Sequence, residues 1–255
     1  MSETTIRHEV IELPSKGLLY SKDNALNTGT VDLKYSTAAE EDILTSTTLI
    51  KNKTVIDKFL QAIILTPGVN FNEILIGDKN ALAFAARIMA FGENYSVKIK
   101  CTSCGALKKD IINLNTLENK NIDYTLLESG ENSFEFKLPI SGDTITIKLL
   151  THQDIKEIEN TIQNYKKLGK DSNPKEVTTR LRKTITSVNG DSDFKTISKY
   201  VFTIPSQDSY AIRQFIESIT PDVDTNYNFI CDECGYEEVI DIPIDVEFFW
   251  PSSRL

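Results

Sequence analysis

The spacing of apolar side chains switches repeatedly between a period of two and a period near 3.6, and each switch marks an element. Residues 6–13 alternate well enough for an opening strand, which Pro14, Ser15, Lys16 and Gly17 break. A loop through Leu18, Leu19 and Tyr20 runs to about Gly29 and leads into residues 30–35, a second alternating strand. Thr37 and Glu40 have the spacing of a capping box, in which hydroxyl and carboxylate satisfy free backbone N–H groups reciprocally. A helix through Ile43 and Leu44 follows. Residues 55–64 predict another, stopped before Pro67 and Gly68. Asp78 reads as the N-cap of a third over 80–91, where Leu82, Ala85, Ala86 and Met89 lie at helical spacing and Gly92 ends the run.

From Tyr95 the period returns to two: Tyr95, Val97 and Ile99 alternate with Ser96, Lys98 and Lys100. This strand runs into Cys101, Cys104 and Gly105, and a second alternating run over 110–114 leads away. The middle of the chain reads as a separate unit. Residues 134–138 and 144–149 predict a hairpin turned by Ser141, Gly142 and Asp143. Thr151 to Asp154 then cap a helix reaching Leu168, and a polar loop to Pro174 precedes a helix over 176–188. After the turn at Asn189 and Gly190 come helices near 194–202 and 207–219, with Ser206 as the cap of the last. The tail returns to strands. Tyr227, Phe229, Cys231, Cys234 and Gly235 repeat the strand-to-turn run, which leaves through 239–242. Residues 246–251 close the chain.

The two Cys-x2-Cys-Gly segments superpose on paper. Ile99 sits two residues before Cys101 as Phe229 sits two before Cys231. Ile112 and Leu114 follow Cys104 by eight and ten, as Ile242 and Ile244 follow Cys234. Each pair supplies two thiolates, and two such knuckles complete a tetrahedral Zn²⁺ site at Cys101, Cys104, Cys231 and Cys234. A glycine after each pair suits a turn whose backbone N–H groups point back at the sulfurs. The 126 residues from 105 to 230 do not prevent closure, because loop entropy grows slowly with length and the insert can fold by itself. Disulfides and two unmetallated hairpins are the competing readings. With four protein ligands, no coordination position is left for water or substrate, so the expected single ion is structural.

Composition narrows this further. Hydrophobic residues make up 40% and charged residues 25% of the 255, the balance of an ordinary folded protein. Acidic side chains number 37 against 28 basic, a net charge of −9, which argues against a protein that coats nucleic acid by neutralising phosphates. The first knuckle is basic (Lys98, Lys100, Lys108, Lys109) and the second acidic (Asp232, Glu233, Glu237, Glu238, Asp241), so joined around one ion they complement each other. The opening residues lack the apolar core of a signal peptide, and no stretch approaches 18 uncharged apolar residues. A cytosolic protein is expected, where paired cysteines bind metal more often than they oxidise.

Other candidates carry less chemistry. His152 with Asp154 could form a general-base fragment, but a helix cap explains both. Arg180, Arg182 and Lys183 beside Lys175 read as a solvated helical face. There is no P-loop, no His-Glu-x-x-His, no Gly-x-Ser-x-Gly and no dinucleotide fingerprint. Phe248, Phe249 and Trp250 are candidate partner-binding residues, since large aromatics anchor interfaces; the alternative is a last strand covering the core. The fold class expected is α+β: mixed strands and helices with a split four-cysteine zinc ribbon of two knuckle hairpins and an inserted α/β subdomain. Its parts are residues 1–114, the insert 115–225, and 226–255.

Several stretches resemble one family. They are Glu12-Leu-Pro-Ser-Lys-Gly17, Lys34-Tyr-Ser-Thr-Ala-Ala-Glu-Glu-Asp-Ile-Leu44, Ile76-Gly-Asp-Lys-Asn80 with Arg87, and Cys101-Thr-Ser-Cys-Gly105. Pro205-Ser-Gln-Asp-Ser209 with Arg213, Cys231-Asp-Glu-Cys-Gly235 and the closing Phe248-Phe-Trp-Pro251 complete the set. Together, in this order, they resemble the baseplate hub assembly proteins of T4-like contractile-tailed bacteriophages. The resemblance implies a non-enzymatic assembly factor or minor baseplate component, acting in the host cytoplasm and binding hub or tape-measure proteins, with the virion tail baseplate as a further location. From hydropathy, charge and the absent motifs, no membrane, nucleic-acid or small-molecule partner is expected. The competing function is a nucleic-acid-binding regulator built on the same zinc ribbon.

Overall fold

In the computed structural model, which describes residues 6–127, 130–167, 175–244 and 247–249, strand β1 (His8–Glu12) pairs antiparallel with β2 (Thr30–Lys34), opposing Val10 to Asp32. The loop between them doubles back tightly. Gly17 and Gly29 both have φ near +75°, and a Cβ on Gly17 would meet the Asn27 carbonyl oxygen at 2.4 Å. Only glycine fits such a crossing. Helices α1 (Ala38–Thr45), α2 (Thr47–Lys51) and α3 (Val55–Ile63) follow, and Thr37 and Glu40 form the capping box that their spacing predicts. The short α2 has no counterpart in the sequence expectation; Ser46 caps it directly after α1 ends.

Helix α4 (Ile76–Phe91) is buried on most sides, with Ala81, Leu82, Ala83, Phe84, Ala86 and Arg87 all inside. A helix enclosed this way sits at the centre of a core rather than on its surface. It begins earlier than expected, and Asp78 is not its N-cap. Asp78 is fully buried in the first turn, where it accepts from the Ser15 backbone N–H (2.9 Å), the Ser15 hydroxyl (2.7 Å) and the Tyr20 hydroxyl (2.6 Å). The carboxylate therefore ties the loop after β1 to α4. Gly77 beside it lies so close to the Pro221 carbonyl that a Cβ would approach the oxygen to 1.8 Å.

After α4 comes a hairpin of β3 (Asn94–Lys100) and β4 (Leu107–Asn113). The insert then leaves and returns at one point. Lys120 N–H donates to the Asp222 carbonyl (2.8 Å) and Asp224 N–H to that of Glu118 (2.7 Å). Within it, β5 (Phe134–Lys137), β6 (Thr144–Ile147) and β7 (Ile185–Val188) make a three-stranded antiparallel sheet. It carries α5 (His152–Lys167), α6 (Glu176–Thr184), α7 (Phe194–Thr203) and α8 (Ser206–Ile219). The single helix expected over 176–188 is thus a helix and a strand. Its last four residues, Ile185 to Val188, include two β-branched aliphatics whose side chains reach the core through the sheet. Leu168 and the loop expected to Pro174 lie outside the described residues.

Strands β8 (Asn226–Ile230) and β9 (Glu237–Asp241) form the last hairpin. The buried apolar side chains form one continuous core from Leu13 to Phe249, joining both ends of the chain to the insert, and a small second cluster around Cys101, Phe229 and Cys231.

Phe248 and Phe249 belong to the large core. Both are 0% exposed, in a 3-10 turn, not the strand expected. Phe248 packs edge-on to Phe84 and Tyr95, and Phe249 to Phe59. Enclosed in this way, they offer no anchor at the surface, which corrects the reading of them as a docking tail. Burying two phenylalanines contributes about 2–3 kcal/mol each, so the enclosed arrangement wins over exposing them. Trp250 lies outside the described residues.

Candidate metal centre

The strand pattern of each knuckle leaves its two cysteines at the end of a hairpin, where the chain must reverse. It does so in the same way twice. Cys101 N–H donates to the Ala106 carbonyl (2.8 Å) and Gly105 N–H to that of Cys101 (3.0 Å); Cys231 N–H donates to Tyr236 and Gly235 N–H to Cys231, each at 2.9 Å. Gly105 and Gly235 sit at φ of 76° and 69°, which side chains rarely adopt. The Cys104 N–H also points back at the Cys101 sulfur, at 3.5 Å.

The two tips meet. Cys101 Sγ lies 3.8 Å from Cys234 Sγ and Cys104 Sγ lies 3.7 Å from Cys231 Sγ, and all four sulfurs fall within 4.8 Å of one another. These separations exclude disulfides, whose sulfurs are about 2 Å apart. A tetrahedral ion with metal–sulfur bonds of about 2.3 Å has sulfur–sulfur edges of about 3.8 Å, so the donor set fits one metal ion. Cys101 and Cys231 are buried, and Cys104 and Cys234 face solvent. Crowding shapes their chemistry. The Cys104 backbone N–H draws the Cys101 thiol down to about 7. The Ala106 N–H favours a Cys104 thiolate too, but the neighbouring sulfurs, Cys234 first, push that thiol up to about 12. Four thiolates side by side need a cation to offset their repulsion.

Protein contacts reinforce the meeting. Lys108 Nζ lies 3.1 Å from Asp232 and 3.3 Å from Asp110, and donates to the Ile230 carbonyl at 3.1 Å. The Tyr227 hydroxyl donates to Asp110 (2.7 Å) and the Thr102 hydroxyl to Glu238 (2.9 Å). The basic and acidic knuckles thus complement each other in part. Lys98, Lys100 and Lys109 make no ion pair among the described residues.

Sequence reasoning left the other polar cluster unassembled. Thr151 and Asp154 cap α5 as expected, with Lys148 paired to Asp154 (2.8 Å). His152 instead points inward, only 3% exposed. Its Nδ1 lies 3.3 Å from Lys79 Nζ and its Nε2 3.2 Å from Asp57, whose other oxygen holds Lys79 at 2.6 Å. Burial pushes the Asp57 carboxyl up, but His152 and Lys79 outweigh it and hold it below the ordinary range. The trio joins α3, α4 and α5 beside a small polar cavity of about 180 Å³. Only their mutual approach in space identifies it; nothing in their spacing does. On the expected basic face, Arg180 pairs with Glu176 and Lys183 with Glu157.

Comparison with known proteins adds one finding. No curated protein and no solved structure matches the chain. No helix among the described residues is long and apolar enough to cross a membrane. A family model described as T4 bacteriophage base plate protein matches residues 6–250, taking in both knuckles, the insert between them and the loop held by Asp78. Since the match spans nearly the whole chain, the protein belongs to the T4 bacteriophage base plate family.

Proposed function

We propose that this protein is a non-enzymatic assembly factor or minor component of the phage baseplate hub, stapled by one structural Zn²⁺ at Cys101, Cys104, Cys231 and Cys234. The meeting of four sulfurs from segments 126 residues apart carries the metal reading, with edges that suit zinc. The two hairpins then form a split zinc ribbon. Four protein thiolates leave no coordination position for a substrate, which supports a structural and binding role for the cluster.

Family membership supports partners among other baseplate proteins, and hub or tape-measure polypeptides are the partners proposed. The protein acts in the host cytoplasm during tail assembly and has the tail baseplate as its destination.

Metal analysis of the purified protein is expected to give one zinc per chain, and less than about half an equivalent would sink the staple. Co-expression with phage tail proteins is expected to recover a complex with a hub or tape-measure protein. Failure to bind any of them would sink the role while leaving the metal site standing.

A further inference from the structure

The two hairpins pack with one face of each turned inward. Ile99 and Ala106 of the first meet Phe229, Tyr227 and Ile240 of the second, and Tyr227 bonds to Asp110 across the gap. Because side chains alternate along a strand, the remaining positions turn away from this contact, leaving two solvent-facing surfaces on opposite sides. Both surfaces expose aliphatic side chains. On β4, Leu107 is 74% and Ile111 67% exposed; on β8 and β9, Ile230 is 50% and Val239 61% exposed. Their charges are opposite in sign. The first surface carries Lys98, Lys100 and Lys109, and the second Glu237 and Asp241, all exposed.

Register sharpens the match. In the row next to the knuckle, Lys100 opposes Leu107 on the first hairpin, and Ile230 opposes Glu237 on the second. Laying one row on the other sets lysine against glutamate and leucine against isoleucine. One row further out, Lys98 stands directly opposite Lys109. Like charges in that position destabilise a hairpin; the facing row of the second surface is Asn228 and Val239, so relief comes from Glu237 and Asp241 in the rows on either side of it rather than from a directly opposed pair. The acidic side also holds a shallow groove of about 360 Å³, lined by Asn228, Ile230, Glu237 and Val239 among others. Since the two surfaces face apart, a chain cannot satisfy one with its own other. A second copy can.

We infer that the outer face of the β3–β4 hairpin binds the outer face of the β8–β9 hairpin on another copy of this chain, head to tail. Such a contact uses different patches on the two partners, so it builds rings or open chains rather than a two-fold dimer. It goes beyond the baseplate role and rests on strand register, not on the identity of the metal.

Sedimentation velocity of the full-length protein over a range of concentrations, at low and high salt, tests it. Concentration-dependent association that weakens as salt rises is expected. The double variants K98E/K109E and E237K/D241K should each weaken association at least about tenfold, because like charges would then meet. Their circular dichroism should match the parent, since all four positions are exposed. Mixing the two variants should restore association, because each then supplies the charge that the other lost. A parent protein that stays monomeric at every concentration would overturn the inference. So would reversed variants that associate like the parent, or a monomer whose exposed lysines bind a DNA oligonucleotide instead.

Discussion

Arg87 Nε donates to the Phe248 carbonyl oxygen at 2.7 Å, joining residues 161 positions apart in sequence. The same guanidinium reaches the carbonyls of Gly92 (2.8 Å) and Asn94 (3.3 Å), so one buried side chain fixes the end of α4, the start of β3 and the aromatic turn at 247–249. Replacing it leaves the buried Phe248 carbonyl without this donor and frees the two more exposed carbonyls. Arg87→Met is therefore expected to lower stability by about 2–4 kcal/mol and Arg87→Lys by somewhat less, because lysine keeps a charge but lacks the planar fork. Urea unfolding would show this as an earlier midpoint, and hydrogen exchange at Phe248 and Phe249 should quicken. An unchanged midpoint in Arg87→Met would contradict the assignment.

Acid should weaken the protein through Glu40. Lys34, the Thr37 hydroxyl and the Thr37 N–H hold its carboxyl down to about 2, below an ordinary value of 4.5. A depressed carboxyl stabilises the fold above its unfolded pKa and stops doing so as pH falls through its folded one. Its contribution is thus complete above pH 4.5 and disappears toward pH 2. Melting curves of the parent and Glu40→Gln should differ by about 1–2 kcal/mol at about pH 7, allowing for the partial exposure of Lys34, still differ at about pH 3, and converge only as pH falls toward about 2. Asp78 runs the other way. Burial raises it despite its three donors, so its contribution is strongest at low pH and declines as pH rises. A gap between parent and Glu40→Gln that stays constant into strong acid would refute this.

Gly77→Ala should be far more damaging than its chemistry suggests. The added methyl would press into the Pro221 backbone, which cannot rotate aside as a side-chain tip could. The cost is expected to exceed about 3 kcal/mol, in the range of severe overpacking. Gly190→Ala, in open space at φ of 82°, should lose only about 1 kcal/mol. Equal losses in the two variants would show that crowding at Pro221 is not what matters.

Removing the proposed ion should expose the cysteines. With an ion bound, thiol reagents should react slowly even with the solvent-facing Cys104 and Cys234; after chelation all four should react. Cys231→Ser should abolish stoichiometric zinc and lower the melting temperature by several degrees, since metal binding to the folded state alone contributes to folding. Rapid modification of four thiols in the zinc-loaded protein would exclude their role as ligands.

Much of this was legible along the chain. The capping box at Thr37 and Glu40, the alternation flanking each knuckle and the cysteine spacing are local signals, and each appears in the structure where the spacing puts it. The failures were long-range. Asp78 has the chemistry of a helix cap, and only the arrival of Ser15 and Tyr20 from 58 to 63 residues away makes it a buried anchor. Phe248 and Phe249 have the composition of an interface, and whether such aromatics face inward depends on a cavity built by Phe59, Phe84 and Tyr95. Ile185 to Val188 continue a helical run until β6 offers them a ladder. In each case a partner distant in sequence overrode the local preference.

The separation of the two knuckles also sets a clock on biosynthesis. At about 5–20 residues per second, the ribosome takes roughly 6–25 s to make the stretch between the first cysteine pair and the second. Through that interval Cys101 and Cys104 hold at most half a coordination shell, while the insert has time to form its own sheet and helices. A nascent chain that stalls within the insert lacks the second cysteine pair, so closure of the four-cysteine cluster becomes a late checkpoint that only chains synthesised past Cys234 can pass.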